Sequence, residues 1–231
     1  NHSWSHHMNL GALKDSQIKY EIYKSHEIIY KVTGSEPKGF ISPAWSSSKS
    51  LINNLINLDY EYDTSIFPSI FLYPMVFKII INHLKNSAKL KRIISRKDWL
   101  YPFTKKNKPF FVDKNFNITH KNRGTLLILP LPTKSIYLPC FWHTLFFVFN
   151  KSIVIKYLNS LLKSNYFYYL LHPSDFIGSE DFEEIKKIHY LERMEYSTHY
   201  KLEILKTTFD ILTNSNREIK TMSEIASYYR E

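Results

Sequence analysis

The chain has 231 residues, of which 44% are hydrophobic, 16% aromatic and 23% charged, and its formal net charge is +10. This composition fits one large folded domain and excludes the disordered, collagen-like and disulfide-rich classes of protein. Because Cys140 is the single cysteine, the chain can form neither an intramolecular disulfide nor a thiolate cluster that binds zinc or an iron–sulfur centre.

The first third of the chain alternates between predicted helices and strands. Apolar residues at helical spacing predict a helix over residues 15–33, which Gly34 ends. A short extended segment follows at 39–43. Ser46–Ser48 are candidate caps for the next helix, and residues 60–64 have the pattern of a strand.

The middle of the chain predicts further alternation. We expect an apolar helix over 75–84 and two short extended runs at 110–113 and 117–120. The continuous apolar runs at 125–131 and 166–172 are typical of buried parallel strands. Strands that alternate with helices predict an α/β fold, either a barrel or a doubly wound sheet, in which functional residues follow the carboxyl ends of strands.

The last part of the chain is predicted as helical. Residues 181–231 form a closing segment in which Thr221 and Glu224 make a capping box for the final helix. The apolar stretch at 135–150 is too short to span ~30 Å of hydrocarbon, so it is a core element or a peripheral membrane contact. We treat residues 1–231 as a single domain.

The positive charge is densest in one basic segment, which contains Lys85, Lys89, Lys91, Arg92, Arg96 and Lys97. The segment has no aromatic residue between its basic residues on which bases could stack. The excess of Lys accompanies many Ile, Asn, Tyr and Phe residues, a composition typical of an AT-rich genome. We therefore predict a solvated surface and no nucleic-acid partner.

Two candidate sites lie near the amino terminus. The spacing of His2 and His6 places two imidazoles on one side of a helical turn, where both can bind Zn²⁺; a surface cluster is the alternative. Pro43 fixes a turn after an extended segment, the N–H of Ala44 is available to a ligand, and Trp45 offers a flat face for a sugar ring. The alternative is a simple turn with Trp45 in the core.

Two further candidates follow predicted strands. Asp63 closes the strand at 60–64, where its simpler role is to cap the next turn. His172 lies at the end of the apolar run at 166–172 and precedes Pro173. A lone histidine in such a position is more often a satisfied core residue than a catalyst.

Together and in this order, the four segments resemble the polysaccharide deacetylase (NodB-homology) family of carbohydrate esterases. His2-Ser3-Trp4-Ser5-His6 is similar to the family's His-Ser/Thr-x-x-His metal motif, and residues 39–45 resemble its groove motif around a proline turn. Residues 62–65 resemble the strand end that carries an aspartate, and residues 171–173 resemble a Leu-x-His segment. The resemblance extends from residue 1 to about residue 178.

The resemblance implies a fold, a reaction and a set of site residues. The implied fold is the distorted (β/α) barrel of this family without its first strand. The implied reaction is metal-dependent hydrolysis of N-acetyl groups on an amino-sugar glycan or a lipid-linked sugar. By this resemblance, His2 and His6 are ligands of a divalent ion, with zinc favoured, and Pro43, Ala44 and Trp45 form the oxyanion and substrate site. His172 is the implied catalytic acid, and Asp63 is the implied carboxylate that orients it.

The sequence also departs from the family pattern. The opening strand, with the aspartates that serve as base and third metal ligand, is expected upstream of residue 1, so we expect no turnover from this segment alone. Ile41 stands where many members carry an arginine, and His7 replaces the usual proline. A catalytically inactive glycan-binding relative and a basic membrane-surface protein therefore remain alternatives. We expect a location in the cytoplasm or at the membrane periphery of a bacterium.

Overall fold

A computed structural model of the chain describes residues 1–82, 90–91, 94–122, 124–181 and 195–231. The chain divides into two compact units, residues 1–140 with 220–231, and residues 141–219. The helices with described bounds are α1 (Asp15–Thr33), α2 (Lys49–Asn57), α3 (Leu72–Asn82), α4 (Tyr101–Thr104), α5 (Leu145–Val148), α6 (Lys151–Leu162), α7 (Thr198–Thr213) and α8 (Met222–Arg230). The single-domain interpretation of 1–231 stays a prediction.

The first unit contains a mixed five-stranded sheet. Its strands are β1 (Gly39–Phe40), β2 (Tyr62–Asp63), β3 (Phe110–Val112), β4 (Ile118–Thr119) and β5 (Leu126–Ile128), in the spatial order β1-β2-β5-β3-β4. The strands β1, β2 and β5 are parallel, with Phe40, Asp63 and Ile128 in register across them. The strand β3 is antiparallel to both β4 and β5. The α/β fold is thus confirmed, while the described strands form an open row and do not close into a barrel.

Local sequence signals account for the helices that flank this sheet. The helix α1 ends at Gly34, whose φ of +70° is unstrained only for glycine and whose N–H donates to the Tyr30 carbonyl. The hydroxyl of Ser48 accepts a hydrogen bond from Leu51 N and caps α2. The apolar faces of α1 and α2 pack in one cluster with inward residues of β3 and β5. The predicted helix at 15–33 and the helix predicted to follow the candidate caps Ser46–Ser48 are therefore confirmed.

The second unit has its own apolar cluster, formed by α5, α6, α7 and the segments between them. Phe141, Leu145 and Phe146 are buried in it. The 135–150 segment therefore contributes to a core, although it is not one continuous helix. The predicted strand at 166–172 is wrong: these residues form no strand ladder, because Phe167 and Tyr169 pack against the helical cluster instead.

Two predictions at the end of the chain have different outcomes. Thr221 and Glu224 form the predicted capping box at the start of α8, with Glu224 N donating to Thr221 Oγ1 over 3.2 Å. Part of the predicted helix after residue 181 lies outside the described residues.

Among the helices that the structure describes, none combines the length and the apolar character needed to cross a bilayer.

Candidate active site

The two motif histidines lie side by side in the loop that precedes α1, not on the helical turn that their spacing predicted. Their ring centroids are 4.9 Å apart at an interplanar angle of 67°. With Zn–N distances of ~2.0–2.1 Å, two imidazoles on one tetrahedral ion place their centroids about 5 Å apart. The spacing of His2 and His6 therefore fits two ligands of such an ion.

A backbone contact fixes the tautomer of the first histidine. His2 Nδ1 lies 2.7 Å from the Ile41 carbonyl oxygen. Because a carbonyl only accepts hydrogen bonds, Nδ1 must carry the proton, and in the neutral ring Nε2 holds the lone pair that a metal requires. Histidine ligands in metal sites are commonly oriented by such a bond. Within the described ranges, no group of three His, Cys, Asp or Glu side chains is close enough to complete the site.

A carboxylate on α1 holds the loop between the two histidines, and we call residues 2–6 the histidine loop. Glu21 is 5% exposed. Its Oε2 accepts hydrogen bonds from Trp4 N (3.1 Å) and Ser5 N (2.8 Å), and its Oε1 accepts one from Ser5 Oγ (2.6 Å). Glu21 is not among the residues predicted from the sequence, although an acidic residue beside Ile22 on the apolar face of a helix is a detectable signal.

The predicted proline turn is present and is strained. Pro43–Trp45 form a 3₁₀ turn, and both Ala44 (φ 49°) and Trp45 (φ 53°) are left-handed. Within the described residues the Ala44 N–H donates to no backbone acceptor outside the turn. The Trp45 side chain is half-buried and meets the Phe67 ring edge-on at 5.6 Å. We call residues 42–46 the Pro43 turn.

An arginine from a distant segment binds the carbonyls of this turn. Arg96 Nη1 donates to Ala44 O over 3.0 Å, and Nη2 donates to Trp45 O over 3.4 Å. Asp98 binds the same guanidinium at Nε and Nη2, and the two side chains are 9% and 4% exposed. No sequence pattern indicates this contact, because Arg96 belongs to a run of basic residues that we interpreted as solvated.

Asp63 lies at the carboxyl end of β2 and is fully buried. Its Oδ2 accepts from Ser65 N over 3.1 Å, and its Oδ1 accepts from the Ser65 hydroxyl, so it caps the following turn. The same Ser65 Oγ accepts from Ser42 N over 2.7 Å, which links Asp63 to the start of the Pro43 turn. Burial raises the pKa of Asp63 to about 7, and the hydrogen bonds from Ser65 oppose this shift.

His172 lies in the second unit, whereas the other predicted site residues lie in the first. It is exposed, so the alternative of a satisfied core histidine is wrong. Its Nδ1 lies 2.9 Å from Ser174 Oγ and accepts from Ser174 N over 3.4 Å. The backbone N–H of His172 donates to Asp175 Oδ2 over 2.7 Å. With Nδ1 accepting, the neutral ring carries its proton on Nε2.

Comparisons with known proteins support the motif resemblance. The family model for polysaccharide deacetylase matches residues 1–62. A crystal structure from Mycobacterium smegmatis, assigned as a polysaccharide deacetylase, has a TM-score of 0.50 with 14% sequence identity and is aligned over 100% of this chain. The chain spans 62% of that protein's length. Curated proteins give no match. The resemblance to polysaccharide deacetylases is thus confirmed, and the structural likeness concerns the fold alone.

Proposed function

We propose, from this family resemblance, that the chain contributes the catalytic domain of an enzyme that hydrolyses N-acetyl groups of an amino-sugar glycan or a lipid-linked sugar. The observation that carries the proposal is the paired packing of His2 and His6 next to the strand that leads into the Pro43 turn. Both segments fall within the residues that the family model matches. For the fold we propose the family's distorted (β/α) barrel, with β1, β2 and β5 among its strands.

The proposed cofactor is a divalent ion, with zinc favoured, held by Nε2 of His2 and by the His6 ring. When bound, such an ion supplies Lewis acidity for the acetyl carbonyl and lowers the pKa of its water. The Ile41 carbonyl orients the His2 ring and makes Nε2 a better donor. Glu21 fixes the loop that joins the two histidines.

The Pro43 turn is the proposed site for the substrate. The N–H of Ala44 is available to stabilise the oxyanion that forms when the acetyl carbonyl becomes tetrahedral. Trp45 presents an indole against which a sugar ring can pack. The roles of His172 as the acid that protonates the leaving amine and of Asp63 as its orienting carboxylate stay predictions from the sequence resemblance.

The test is acetate release by the full-length gene product, loaded with zinc, from N-acetylated glycans. We expect His2→Ala and His6→Ala each to lower the rate by about 10³-fold and to lower the bound zinc, because each removes a ligand. His120→Ala, which removes an exposed histidine of the same unit, is the matched control and should change neither.

Two results would contradict this proposal. Wild-type acetate release in either histidine variant would exclude the metal assignment. Binding of an N-acetylated glycan without acetate release, whichever divalent ion is supplied, would instead support the inactive glycan-binding relative.

A further inference from the structure

Two neighbouring segments of the first unit carry several exposed apolar side chains. They come from α3 and from the segment that ends in α4: Phe77, Ile81, Ile94, Leu100 and Phe103. Phe77, Leu100 and Phe103 are 64%, 65% and 60% exposed. Single exposed apolar residues are ordinary, but a group of this size marks an interaction surface.

Contacts of Tyr73 join the two parts of this surface. Its hydroxyl donates to Trp99 O over 2.6 Å, and its ring stacks on Phe103 with centroids 6.2 Å apart. Residues four apart on a helix share a face, so Phe77 follows Tyr73 on the same side of α3. We call this surface the α3–α4 face.

The charge of the chain is concentrated in the same region. Residues 64–112 contain ten Lys and Arg residues and one acidic residue, a net charge of +9 in a chain whose total is +10. Genome composition does not explain this distribution, because twenty of the twenty-one acidic residues lie elsewhere. The one acid, Asp98, is buried against Arg96.

Exposed lysines flank the apolar side chains along the described part of this segment. Lys97 and Lys106 are exposed, and each is three residues from Leu100 or Phe103. Lysines within a Debye length of an anionic bilayer are attracted to it, and apolar side chains beside them can enter the interface.

We propose that the α3–α4 face binds the surface of a bilayer that contains anionic lipids. The apolar side chains enter the headgroup and acyl boundary, and the lysines contact lipid phosphates. Nucleic acid is the less suitable anionic partner, because Ile81, Ile94 and Leu100 gain little from phosphates or base edges, whereas the hydrocarbon boundary favours them.

The face adjoins the Pro43 turn within the same unit. Arg96, which lies in the basic segment, donates to the carbonyls of Ala44 and Trp45. A chain bound through this face therefore holds the turn close to the lipid surface. This step rests on the proposed function, and it favours a substrate that is itself attached to the membrane.

The experiment is co-sedimentation of the full chain with vesicles. We expect binding to vesicles of phosphatidylcholine with about 30% phosphatidylglycerol, and about tenfold less binding to phosphatidylcholine alone or on raising the salt from about 0.05 to about 0.5 M. Leu100→Ser with Phe103→Ser should lower the binding about tenfold, and Lys97→Gln with Lys106→Gln several-fold.

Controls separate a surface effect from unfolding. Tyr30→Ser with Val32→Ser removes similarly exposed apolar side chains from α1 and should leave vesicle binding unchanged. Leu100→Ser alone removes no ring contact, so it tests the face even if loss of the Tyr73–Phe103 stack destabilises the fold.

Three outcomes would overturn the proposal. The first is no vesicle binding at low salt. The second is binding to duplex DNA that the Leu100 and Phe103 variants do not change, together with absent vesicle binding. The third is a change from dimer to monomer in these variants with unaltered vesicle binding. None of these readouts uses acetate release, so failure of the deacetylase proposal is seen separately.

Discussion

The histidine loop and the Pro43 turn are held by buried side chains of opposite charge. The histidine loop directs backbone N–H groups at the Glu21 carboxylate, and the Pro43 turn directs carbonyl oxygens at the Arg96 guanidinium. A loop outside regular structure leaves backbone groups without ladder partners, and each such group must find another partner when buried. The charge of the holding residue follows from which backbone groups the loop directs inward.

Both regions also hold strained backbone. The non-glycine residues with positive φ in the described part of the chain are Ser3, His6, Ala44, Trp45, Asp59, Phe116 and Asn216. Four of these seven belong to the histidine loop or the Pro43 turn. Each left-handed residue costs roughly 1–2 kcal/mol, so its surroundings must fix it, and such residues concentrate at functional sites. The comparison predicts that removing either charge releases strain locally.

The largest expected effect is the loss of Arg96. Arg96→Gln leaves the Asp98 carboxylate buried without its cation and removes donors from two carbonyls, so we expect the free energy of unfolding to fall by about 3–5 kcal/mol. Hydrogen exchange should accelerate over residues 42–48. Arg217→Gln removes a comparable arginine, which donates to Leu162 O and Ser164 O in the second unit, and should leave exchange in the turn unchanged.

The substitution Ala44→Gly tests whether Arg96 holds the left-handed conformation of Ala44 or only packs against the turn. Ala44→Gly removes the steric cost of a φ of 49°, so it should recover part of the lost stability in the Arg96→Gln background. If Arg96→Gln lowers the free energy of unfolding equally with and without Ala44→Gly, Arg96 does not hold the left-handed conformation.

The next effect depends on pH and concerns the start of the Pro43 turn. Burial raises the pKa of Asp63 from 3.8 to about 7, so between these pH values the folded chain binds a proton that the unfolded chain releases. The titration of Asp63 therefore lowers the free energy of unfolding by a few kcal/mol as the pH rises from about 4 to about 7. Above about pH 7 its effect is constant. Tyr101 is a titratable neighbour, but burial raises its pKa far above this range.

Denaturant titrations of the wild type and Asp63→Asn at several pH values check this. Asparagine stays neutral, so the stability of the variant relative to the wild type should increase from pH 4 to 7 and then level off. Ser42 should remain linked through Ser65 throughout. A difference that decreases with pH would mean that Asp63 is ionised in the folded chain at low pH.

The sequence was informative where local chemistry decides the structure. Gly34, Ser48 and the Thr221–Glu224 pair mark helix ends through contacts within four residues, and these ends are where the structure has them. The run at 125–131 contains β5 because all its residues are buried between neighbouring elements. The pairing of His2 with His6 and a turn at Pro43 also follow from short motifs, whereas the left-handed conformation of that turn does not.

The remaining features depend on contacts between distant residues. Glu21 and Arg96 lie 16 and about 50 residues from the loops that they hold, and no local pattern distinguishes Arg96 from the lysines around it. The run at 166–172 has the length and apolar pattern that predicted a strand, but it packs on helices and forms none. Burial by any neighbour satisfies an apolar run, so composition alone cannot identify the neighbour.

Glu21→Gln should have a smaller effect than Arg96→Gln. Glutamine keeps the shape of glutamate but replaces one acceptor oxygen with a donor, so at least one of the Trp4 and Ser5 donors loses its partner. We expect a loss of about 2 kcal/mol in stability and about tenfold in zinc affinity, measured by calorimetry on the full-length gene product. Unchanged zinc affinity in a destabilised variant would make Glu21 a purely structural residue.

The matched control for Glu21 lies on the same helix. Glu27 is exposed and pairs with Lys24 over 3.4 Å at the surface of α1. Surface pairs of this kind contribute roughly 0–1 kcal/mol, so Glu27→Gln should alter neither stability nor zinc affinity measurably.

The smallest expected effect tests whether the two regions are independent. Gly11 follows the histidine loop, its N–H donates to Ser46 Oγ over 3.1 Å, and a Cβ added to it would lie 2.6 Å from the backbone oxygen of Ser47. Gly11→Ala therefore forces a backbone shift and should lower the free energy of unfolding by about 1–2 kcal/mol. Ala12→Ser is the control for added volume at a half-buried neighbour.

If exchange accelerates in both the histidine loop and the Pro43 turn, the two regions share one packing constraint and the effects of Glu21→Gln and Arg96→Gln should be non-additive. Faster exchange in the Pro43 turn alone would instead mean that Glu21 isolates the histidine loop from its neighbour.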